Sequence, residues 1–305
     1  MKVTLATGAD ARYGPYLLNL LGSVQANAGI FDRVVAFDLG LRPFERRLLE
    51  RVRGVEVGEV PPFVPHWRQG RTWKTWIWTH VETDVLFWLD AGCTVLRSLA
   101  DPLEQVVTRG YFCVSQSRPL GDSVPPDYRR RFGLGEEQVS RVSIAAGILA
   151  FRRDSAFYAR VIVPTYQGAR EGLSLGYSPG EMERLNLGLD RQEAPPVRDC
   201  PIFRHEQTLL GIHFYTQIDD PVVNDVYKYG GWLSPNDHPE QLVWSHRRRG
   251  DLRYLPRVGY RGAMQPVGAA WGAAVYGLWW RRRHGWLFRP STYLGKARRV
   301  LGVRP

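Results

Sequence analysis

The chain has 305 residues, of which 44% are hydrophobic and 12% aromatic, so it can bury the core of a large α/β domain and is not a disordered polypeptide. Its net charge of +11 is concentrated after residue 240, where thirteen Arg and one Lys face a single Asp, which leaves the first 240 residues at −2. A near-neutral body argues against a nucleic-acid-binding surface across the molecule and favours a local attachment element at its C-terminal end.

The cysteines and the first residues predict the compartment. Cys93, Cys113 and Cys200 have no metal-ligand spacing, and a sparse, odd set of this kind is typical of a reducing compartment without disulfides. The segment 1–5 lacks the long apolar core of a signal peptide and instead predicts the first strand of the fold. We therefore expect a cytoplasmic chain.

Taken in chain order, hydrophobic periodicity predicts strands that alternate with helices. This alternation predicts an α/β fold with a doubly wound, mostly parallel sheet. Two polar stretches, 117–141 and 166–200, are predicted as long surface excursions, either substrate loops or tolerated insertions. The predicted strands span 2–7, 33–39, 55–60, 85–89, 111–116 and 144–151, and the predicted helices span 15–28, 43–52 and 74–83.

One acidic residue stands at a position typical of ligand sites. The apolar strand 85–89 ends abruptly at Asp90, and Lys74 lies sixteen positions upstream. Ligands of open α/β sheets bind just beyond the carboxyl ends of the strands, where a carboxylate can hold a metal ion or a sugar hydroxyl. Asp also favours turns and helix caps, so a turn residue at the strand end is the alternative.

Five short segments follow one another in a fixed order between residues 2 and 250. They are 3–7 with Tyr13 and 20–23, then Lys74, then 87–92, 146–149 and 205–210. With these segments in this order, the sequence resembles the GT-A glycosyltransferases of the glycogenin and bacterial lipopolysaccharide galactosyltransferase type.

The resemblance implies a GT-A (Rossmann-like) fold and a set of site residues. The first strand and helix would hold the nucleotide base, the lysine before the acidic motif would contact the donor, and the fourth segment would place a small residue beside the donor sugar. The fifth segment would lie beside the reaction centre. The implied donor-binding residues are Leu5, Thr7, Tyr13, Lys74, Asp90, Gly92 and Gly147. The implied catalytic residues are Asp90, Glu206 and Gln207.

Three positions depart from the family pattern. Gly92 replaces the second Asp of the Asp-x-Asp motif, and glycine has no side-chain oxygen for the metal. Glu206 replaces an Asp, and Ala145 replaces an Asn. A site for Mn²⁺ or Mg²⁺ on Asp90, with His246 as a further ligand, should therefore be weakened or lost, and metal-independent activity is the alternative.

The reaction that the resemblance implies releases a diphosphate, whose growing negative charge needs preorganised positive charge. With the metal weakened, we expect Lys74, and after it the arginine cluster 247–249, to supply this charge. If stereochemistry is retained, Gln207 would face the oxocarbenium-like centre; if it is inverted, Glu206 would be the general base. The segment 205–207 also fits a polar helix N-terminus that has no role in chemistry.

Residues 256–305 are predicted as a basic, aromatic extension of a GT-A domain that spans 1–255. Residues 262–280 carry no charge, and three arginines follow them. A stretch of about 20 apolar residues can span a membrane, but Gln265, Pro266 and the glycines favour an interfacial segment with its arginines toward anionic lipid. A spanning helix, a segment packed on the body or on a partner chain, and a solvated charge run are the alternatives.

Together these patterns predict a glycosyltransferase that moves a sugar from a nucleotide-sugar donor to a glycan or lipid-linked acceptor. We expect it at the inner face of an anionic membrane, as a peripheral protein, and without a nucleic-acid partner. The alternative is a catalytically inactive nucleotide- or glycan-binding protein of the same fold, which Gly92 favours. A nucleotidyltransferase would have a glycine-rich loop after the first strand, and Gly8 alone does not make one.

Overall fold

The computed structural model describes residues 1–177, 197, 199–200, 202–231, 238–246 and 251–284. The strands are β1 Val3–Ala9, β2 Arg33–Asp38, β3 Val55–Glu59, β4 Val85–Leu89, β5 Cys93–Val95, β6 Tyr111–Pro119, β7 Val142–Arg152, β8 Gly230–Gly231 and β9 Val243–Ser245. The helices are α1 Gly14–Asn27, α2 Pro43–Leu49, α3 Thr72–His80, α4 Ala100–Arg109, α5 Pro126–Phe132, α6 Glu136–Ser140, α7 Val163–Arg170, α8 Glu206–Gln217, α9 Val226–Tyr229 and α10 Met264–His284. Four 3-10 turns, Gln69–Arg71, Leu120–Ser123, Leu173–Leu175 and Leu255–Arg257, and one π-helical turn, Tyr158–Ile162, complete the described elements.

Six strands form the central sheet in the order β3-β2-β1-β4-β7-β6. The first four are parallel to one another, and β7 is antiparallel to both of its neighbours. A second sheet contains three short strands in the order β5-β9-β8. Its first strand, β5, begins at Cys93, three residues after Asp90. The prediction of a doubly wound, mostly parallel α/β fold is confirmed.

The strand β4 shows why the sheet is buried on both faces. Leu86 and Trp88 belong to the core that α3, α7 and α8 cover, whereas Phe87 and Leu89 belong to the core that α1 and α4 cover. All five residues of β4 are buried. A strand covered on both faces has no polar alternation, which explains the uninterrupted apolar run in the sequence.

The pairing of β6 with β7 is interrupted by a bulge. Its register jumps from Cys113 opposite Leu149 to Ser115 opposite Ile144, so β7 carries extra residues at this point. Bulges of this kind bend a strand locally and occur often beside active sites. The extra residues include Gly147, whose carbonyl accepts a hydrogen bond from the Asp90 amide at 2.9 Å.

The structure corrects two expectations about the middle of the chain. The stretch 117–141 is not a surface excursion: it contains α5 and α6, and its buried side chains include Leu120, Val124, Tyr128 and Val139. These apolar positions are too few among the many charged residues for their helical spacing to be recognised in the sequence. Helix α4 was not predicted, because only Pro102 and Val106 are buried in it.

The C-terminal part of the described chain is attached to the body. Tyr260 bridges to Val52, and the amide of Arg261 donates to the carbonyl of Arg51 at 2.8 Å. From there α10 packs Trp271 and Val275 into the core that α1 and α2 share. Among the described residues, no helix is long and apolar enough to cross a membrane. The division at residue 256 stays a prediction.

Candidate active site

The site lies at the switch point of the sheet. Strands β1 and β4 are neighbours, with Leu5 paired to Phe87 and Ala6 to Trp88, and the chain leaves them toward opposite edges. Their carboxyl ends therefore open a crevice, which is where open α/β sheets bind ligands. Asp90 follows β4 directly at this edge.

A buried ammonium group joins three distant parts of the chain there. The Nζ of Lys74, on the first turn of α3, lies 2.9 Å from Asp90 Oδ1 and 2.8 Å from Glu206 Oε1. The Lys74 and Glu206 side chains are 2% and 3% exposed, whereas the Asp90 side chain is 44% exposed. Asp90 is thus the member of the triad that a ligand can reach.

Mutual attraction keeps the Lys74–Asp90 pair ionised. Burial alone would lower the pKa of Lys74, but the carboxylates of Asp90 and Glu206 outweigh it and raise that pKa above its usual value. Burial alone would raise the pKa of Asp90, but the Lys74 charge and the bonds from Lys74 and Trp88 hold it below its usual value. Lys74 and Asp90 are therefore both charged at neutral pH.

Two neighbours fix the orientation of Asp90. The indole Nε1 of Trp88 donates to Asp90 Oδ1 at 2.8 Å, and the Lys74 ammonium lies 5.4 Å from the centre of the Trp88 ring. On the other side, a Cβ on Gly147 would lie 2.7 Å from Asp90 Oδ2. The site therefore requires glycine at position 147, because any side chain would displace the carboxylate.

The first turns of α3 and α8 meet around Ser174. Its hydroxyl is 2.7 Å from that of Thr72, and its carbonyl accepts from His205 Nδ1 at 3.0 Å. The residue before each helix has left-handed φ, 54° at Arg71 and 56° at His205. Non-glycine residues rarely adopt this region, and such strain is concentrated at functional sites.

The start of α8 offers further polar groups. Glu206 Oε2 is buried and accepts no hydrogen bond from the residues that the structure describes. Gln207 is half-buried, and its Oε1 accepts from Gln116 Nε2 on β6 at 3.5 Å. An unpaired, buried carboxylate oxygen is costly, so the described residues leave one polar group of the site unsatisfied at the start of α8.

Other predicted site residues lie at varying depth. Leu5 and Thr7 are 0% exposed inside β1, so only their backbone could face a ligand. Tyr13 is half-buried at the start of α1, at the crevice edge of the sheet. Gly92 is buried between Asp90 and β5. The donor-binding role of these residues stays a prediction.

Comparison with known proteins finds likeness in structure alone. No protein-family model and no curated protein matches the sequence. The bifunctional glycosyltransferase WbbM superposes with a TM-score of 0.52 at 9% identity, over 88% of this chain and 51% of its own. The chain thus spans about half of the WbbM chain. It has the GT-A glycosyltransferase fold.

Two more solved structures are similar at lower scores. The galactosyltransferase LgtC, solved with donor and acceptor sugar analogues, has a TM-score of 0.47 at 14% identity, over 90% of this chain and 95% of its own. The glycosyltransferase GlyE of Streptococcus pneumoniae TIGR4 has a TM-score of 0.45 at 11% identity, over 93% of this chain and 64% of its own.

The metal site predicted within this GT-A fold does not form among the described residues. They contain no group of three or more His, Cys, Asp or Glu side chains arranged around a metal position. The Oδ1 of Asp90 already accepts from Lys74 and Trp88. His246 is buried, and its Nε2 lies 2.7 Å from the Thr94 hydroxyl. Asp90 alone does not fit Mn²⁺ or Mg²⁺, and the metal role of Asp90 and His246 is not confirmed.

Sequence reasoning gave no role at the site to Arg71 or to Ser174. Arg71 lies three residues before the predicted helix 74–83, and its conformation depends on Gly70 beside it, where a Cβ would lie 2.5 Å from the Ser174 carbonyl oxygen. The only local signal was the Gly70-Arg71 pair before an apolar stretch. The arginine cluster 247–249, proposed as a further source of charge, lies outside the described residues.

Proposed function

We propose that this chain is a glycosyltransferase that moves a sugar from a nucleotide-sugar donor to a glycan or lipid-linked acceptor. The observation that carries the proposal is the buried Lys74 between Asp90 and Glu206, at the switch point of a GT-A fold. Carboxylates held rigidly by one ammonium can accept hydrogen bonds from sugar hydroxyls without reorganising.

Each member of the triad has a part in the proposed reaction. The bond between the anomeric carbon and the diphosphate oxygen breaks with its electron pair on oxygen, and the acceptor oxygen forms the new bond and passes its proton to the departing diphosphate. Asp90, the exposed member, binds the donor sugar. The buried Glu206 holds the Lys74 ammonium from the other side, and Lys74 in turn holds Asp90 in place.

The ion pair supports a positioning role for Glu206 rather than a role as general base. The Oε1 of Glu206 lies 2.8 Å from the Lys74 ammonium, and its side chain is 3% exposed, so an acceptor hydroxyl cannot reach it to transfer a proton. With Glu206 in this positioning role, Gln207 is the side chain that faces the oxocarbenium-like centre. This arrangement corresponds to a reaction that retains the anomeric configuration. The anomeric coupling constant of the product in proton NMR tests this: an inverted product contradicts it and returns Glu206 to the role of base.

Thermal stabilisation by nucleoside diphosphates is the first test of the function. Uridine, guanosine, adenosine, thymidine and cytidine diphosphates are each added with and without Mn²⁺ to the wild type, to Asp90→Ala and to the surface control Asp127→Ala. We expect one base to stabilise the wild type and the control selectively, and to stabilise Asp90→Ala less. No stabilisation by any of them would contradict the proposal.

A catalytically inactive binding protein is the second candidate, because Gly92 removes one carboxylate from the acidic motif. It would show the same selective stabilisation but no turnover. Incubation with the sugar conjugate of the selected nucleotide distinguishes the two, since an enzyme releases the diphosphate by transfer or by slow hydrolysis.

We also propose that the protein binds the inner, anionic face of a membrane from the cytoplasm, where a lipid-linked acceptor would be presented. Val267, Leu278 and Trp280 are exposed on α10, which carries no charge before Arg281. Residues 241–305 carry a net +13, and each arginine near an anionic surface contributes about 1 kcal/mol. Exposed apolar side chains beside arginines are typical of an interfacial helix.

A further inference from the structure

Within the described residues, the buried triad offers no positive charge to a bound phosphate. Lys74 is 2% exposed and is paired with two carboxylates, so the triad of Lys74, Asp90 and Glu206 has a net negative charge. A donor diphosphate is itself an anion and becomes more negative as the sugar leaves. Lys74 therefore cannot supply positive charge to the diphosphate, although the sequence analysis proposed it first for that role.

Arg71 lies next to this triad and is exposed. It precedes Thr72, whose hydroxyl bonds to Ser174, and Ser174 in turn bonds to His205, the residue before Glu206. Lys74 closes the ring through its bond to Glu206. This ring of contacts fixes the Arg71 backbone at the mouth of the site.

The Arg71 charge lies close enough to the site to act on the groups there. Its positive charge acts on Lys74, Asp90 and His205, which line the same opening. It makes no ion pair with any residue in the described part of the chain, whereas surface arginines such as Arg46 and Arg152 do. It also stands at the N-terminus of α3, where the helix dipole favours an anion.

The backbone of Arg71 adds an independent reason. Its φ of 54° and ψ of 28° are left-handed, a conformation that glycine or asparagine adopts at lower cost. The adjacent Gly70 is also left-handed, so the pair forms a tight turn against Ser174. Arginine at a strained position, at the opening of a buried triad and without an ion pair to any described residue, indicates that the side chain is needed for a ligand.

We propose that Arg71 binds the diphosphate of the nucleotide donor and supplies the positive charge that a metal held by a second carboxylate would otherwise give. The planar guanidinium presents several N–H donors, and two of them can bind one phosphate together. Ligand and site then match in charge: Arg71 faces the diphosphate, while Asp90 faces hydroxyls of the sugar. This inference rests on the proposed function and names the residue that recognises the leaving group.

The test compares Arg71→Asn and Arg71→Lys with the wild type and with Arg68→Asn. Asparagine tolerates left-handed φ, so Arg71→Asn should fold with a Tm no lower than that of the wild type. Arg68 is an exposed arginine three residues earlier whose guanidinium stacks on Trp67, 4.6 Å from the ring centre, so it matches in charge and location. Affinity is measured by calorimetry in EDTA, for the nucleoside diphosphate that the wild type selects and for the corresponding nucleoside.

We expect Arg71→Asn to weaken the diphosphate about tenfold or more and to leave the nucleoside unchanged, because one charge-assisted contact is lost. Arg71→Lys should recover part of the affinity, and Arg68→Asn should match the wild type. Wild-type affinity in Arg71→Asn, or an equal loss for nucleoside and diphosphate, would overturn the inference while leaving the glycosyltransferase proposal intact. A wild type that binds no nucleoside diphosphate with or without Mn²⁺ would instead overturn the proposed function.

Discussion

At Lys74 one ammonium group lies within 3 Å of two carboxylates, and the surrounding side chains exclude water from two of the three groups. Removing one partner of such a buried arrangement leaves an uncompensated charge, which costs more than the pair itself contributes. The triad therefore couples the stability of the fold to the geometry of the site.

Lys74→Met should lower the free energy of unfolding by about 3 kcal/mol, because Glu206 would be left charged and buried. Adding Glu206→Gln removes that charge, so the double variant should be more stable than the sum of the single losses predicts. Urea denaturation of the four proteins measures the coupling. Additive losses would show that Lys74 and Glu206 do not interact as described.

Gly147→Ala should leave the protein folded and reduce nucleotide binding, since the new Cβ would lie 2.7 Å from Asp90 Oδ2 and displace the carboxylate. Gly277→Ala is the matched control, because a Cβ at position 277 meets nothing within 4 Å among the described residues. Thermal stabilisation by the selected diphosphate is compared in the two variants. An equal response in both would contradict the role of the bulge in seating Asp90.

His213 adds a pH-dependent term to stability. Burial lowers its pKa from 6.5 to about 4, so below pH 6.5 the unfolded chain binds the proton and the folded protein does not. Stability due to this group is complete above pH 6.5 and is lost as the pH falls toward 4, by about 3 kcal/mol in total. His213→Phe keeps the edge-on contact with Phe132 and should flatten the dependence over this range. Parallel pH profiles of the two proteins would refute this.

At the scale of elements, α10 approaches the body through its glycines. A Cβ on Gly272 would lie 2.6 Å from the carbonyl oxygen of Leu255, and one on Gly268 would lie 2.3 Å from the ring of Tyr260. These close contacts bring Trp271 against Phe44, with their ring centres 5.9 Å apart. Close packing at these glycines, rather than charge, therefore holds α10 against the body.

Gly272→Ala should therefore separate α10 from the turn Leu255–Arg257 and destabilise the protein by about 1–3 kcal/mol. The same change at Gly277, on the open side of the helix, should stabilise it by about 0.5–1 kcal/mol through helix propensity. Hydrogen exchange of the α10 amides distinguishes the two variants. Equal protection in both would show that the close contact does not hold the helix.

At the scale of the whole molecule, charge is segregated: a near-neutral body carries the site, and a strongly basic C-terminal part follows it. We expect the protein to co-sediment with vesicles that contain anionic lipid, and the binding to fall as salt rises above ~0.15 M. Leu278→Gln should weaken binding about tenfold, since this side chain is 62% exposed and would lose its burial in lipid. Val107→Gln, at an exposed valine on α4, is the control. Salt-independent binding, or an equal effect of both changes, would contradict the proposal.

Much of this architecture followed from local patterns in the sequence. The run 85–89 has no polar residue because β4 is covered on both faces, and its abrupt end predicted that Asp90 lies at the ligand-binding edge. The start of α8 at Glu206 was likewise visible as a polar helix N-terminus. Patterns of this kind report the burial of one element at a time, so they indicated the six strands of the central sheet, the first three helices and the position of the acidic motif.

The tertiary structure alone decided which charges meet. Lys74, Asp90 and Glu206 come from α3, the end of β4 and the start of α8, and no spacing in the chain encodes that one ammonium pairs with both acids. For the same reason the sequence assigned the diphosphate to Lys74, whereas packing buries that lysine and leaves Arg71 exposed at the opening. The physical reason is that periodicity depends on neighbours along the chain, while the charge state and reach of a side chain depend on the elements that pack around it.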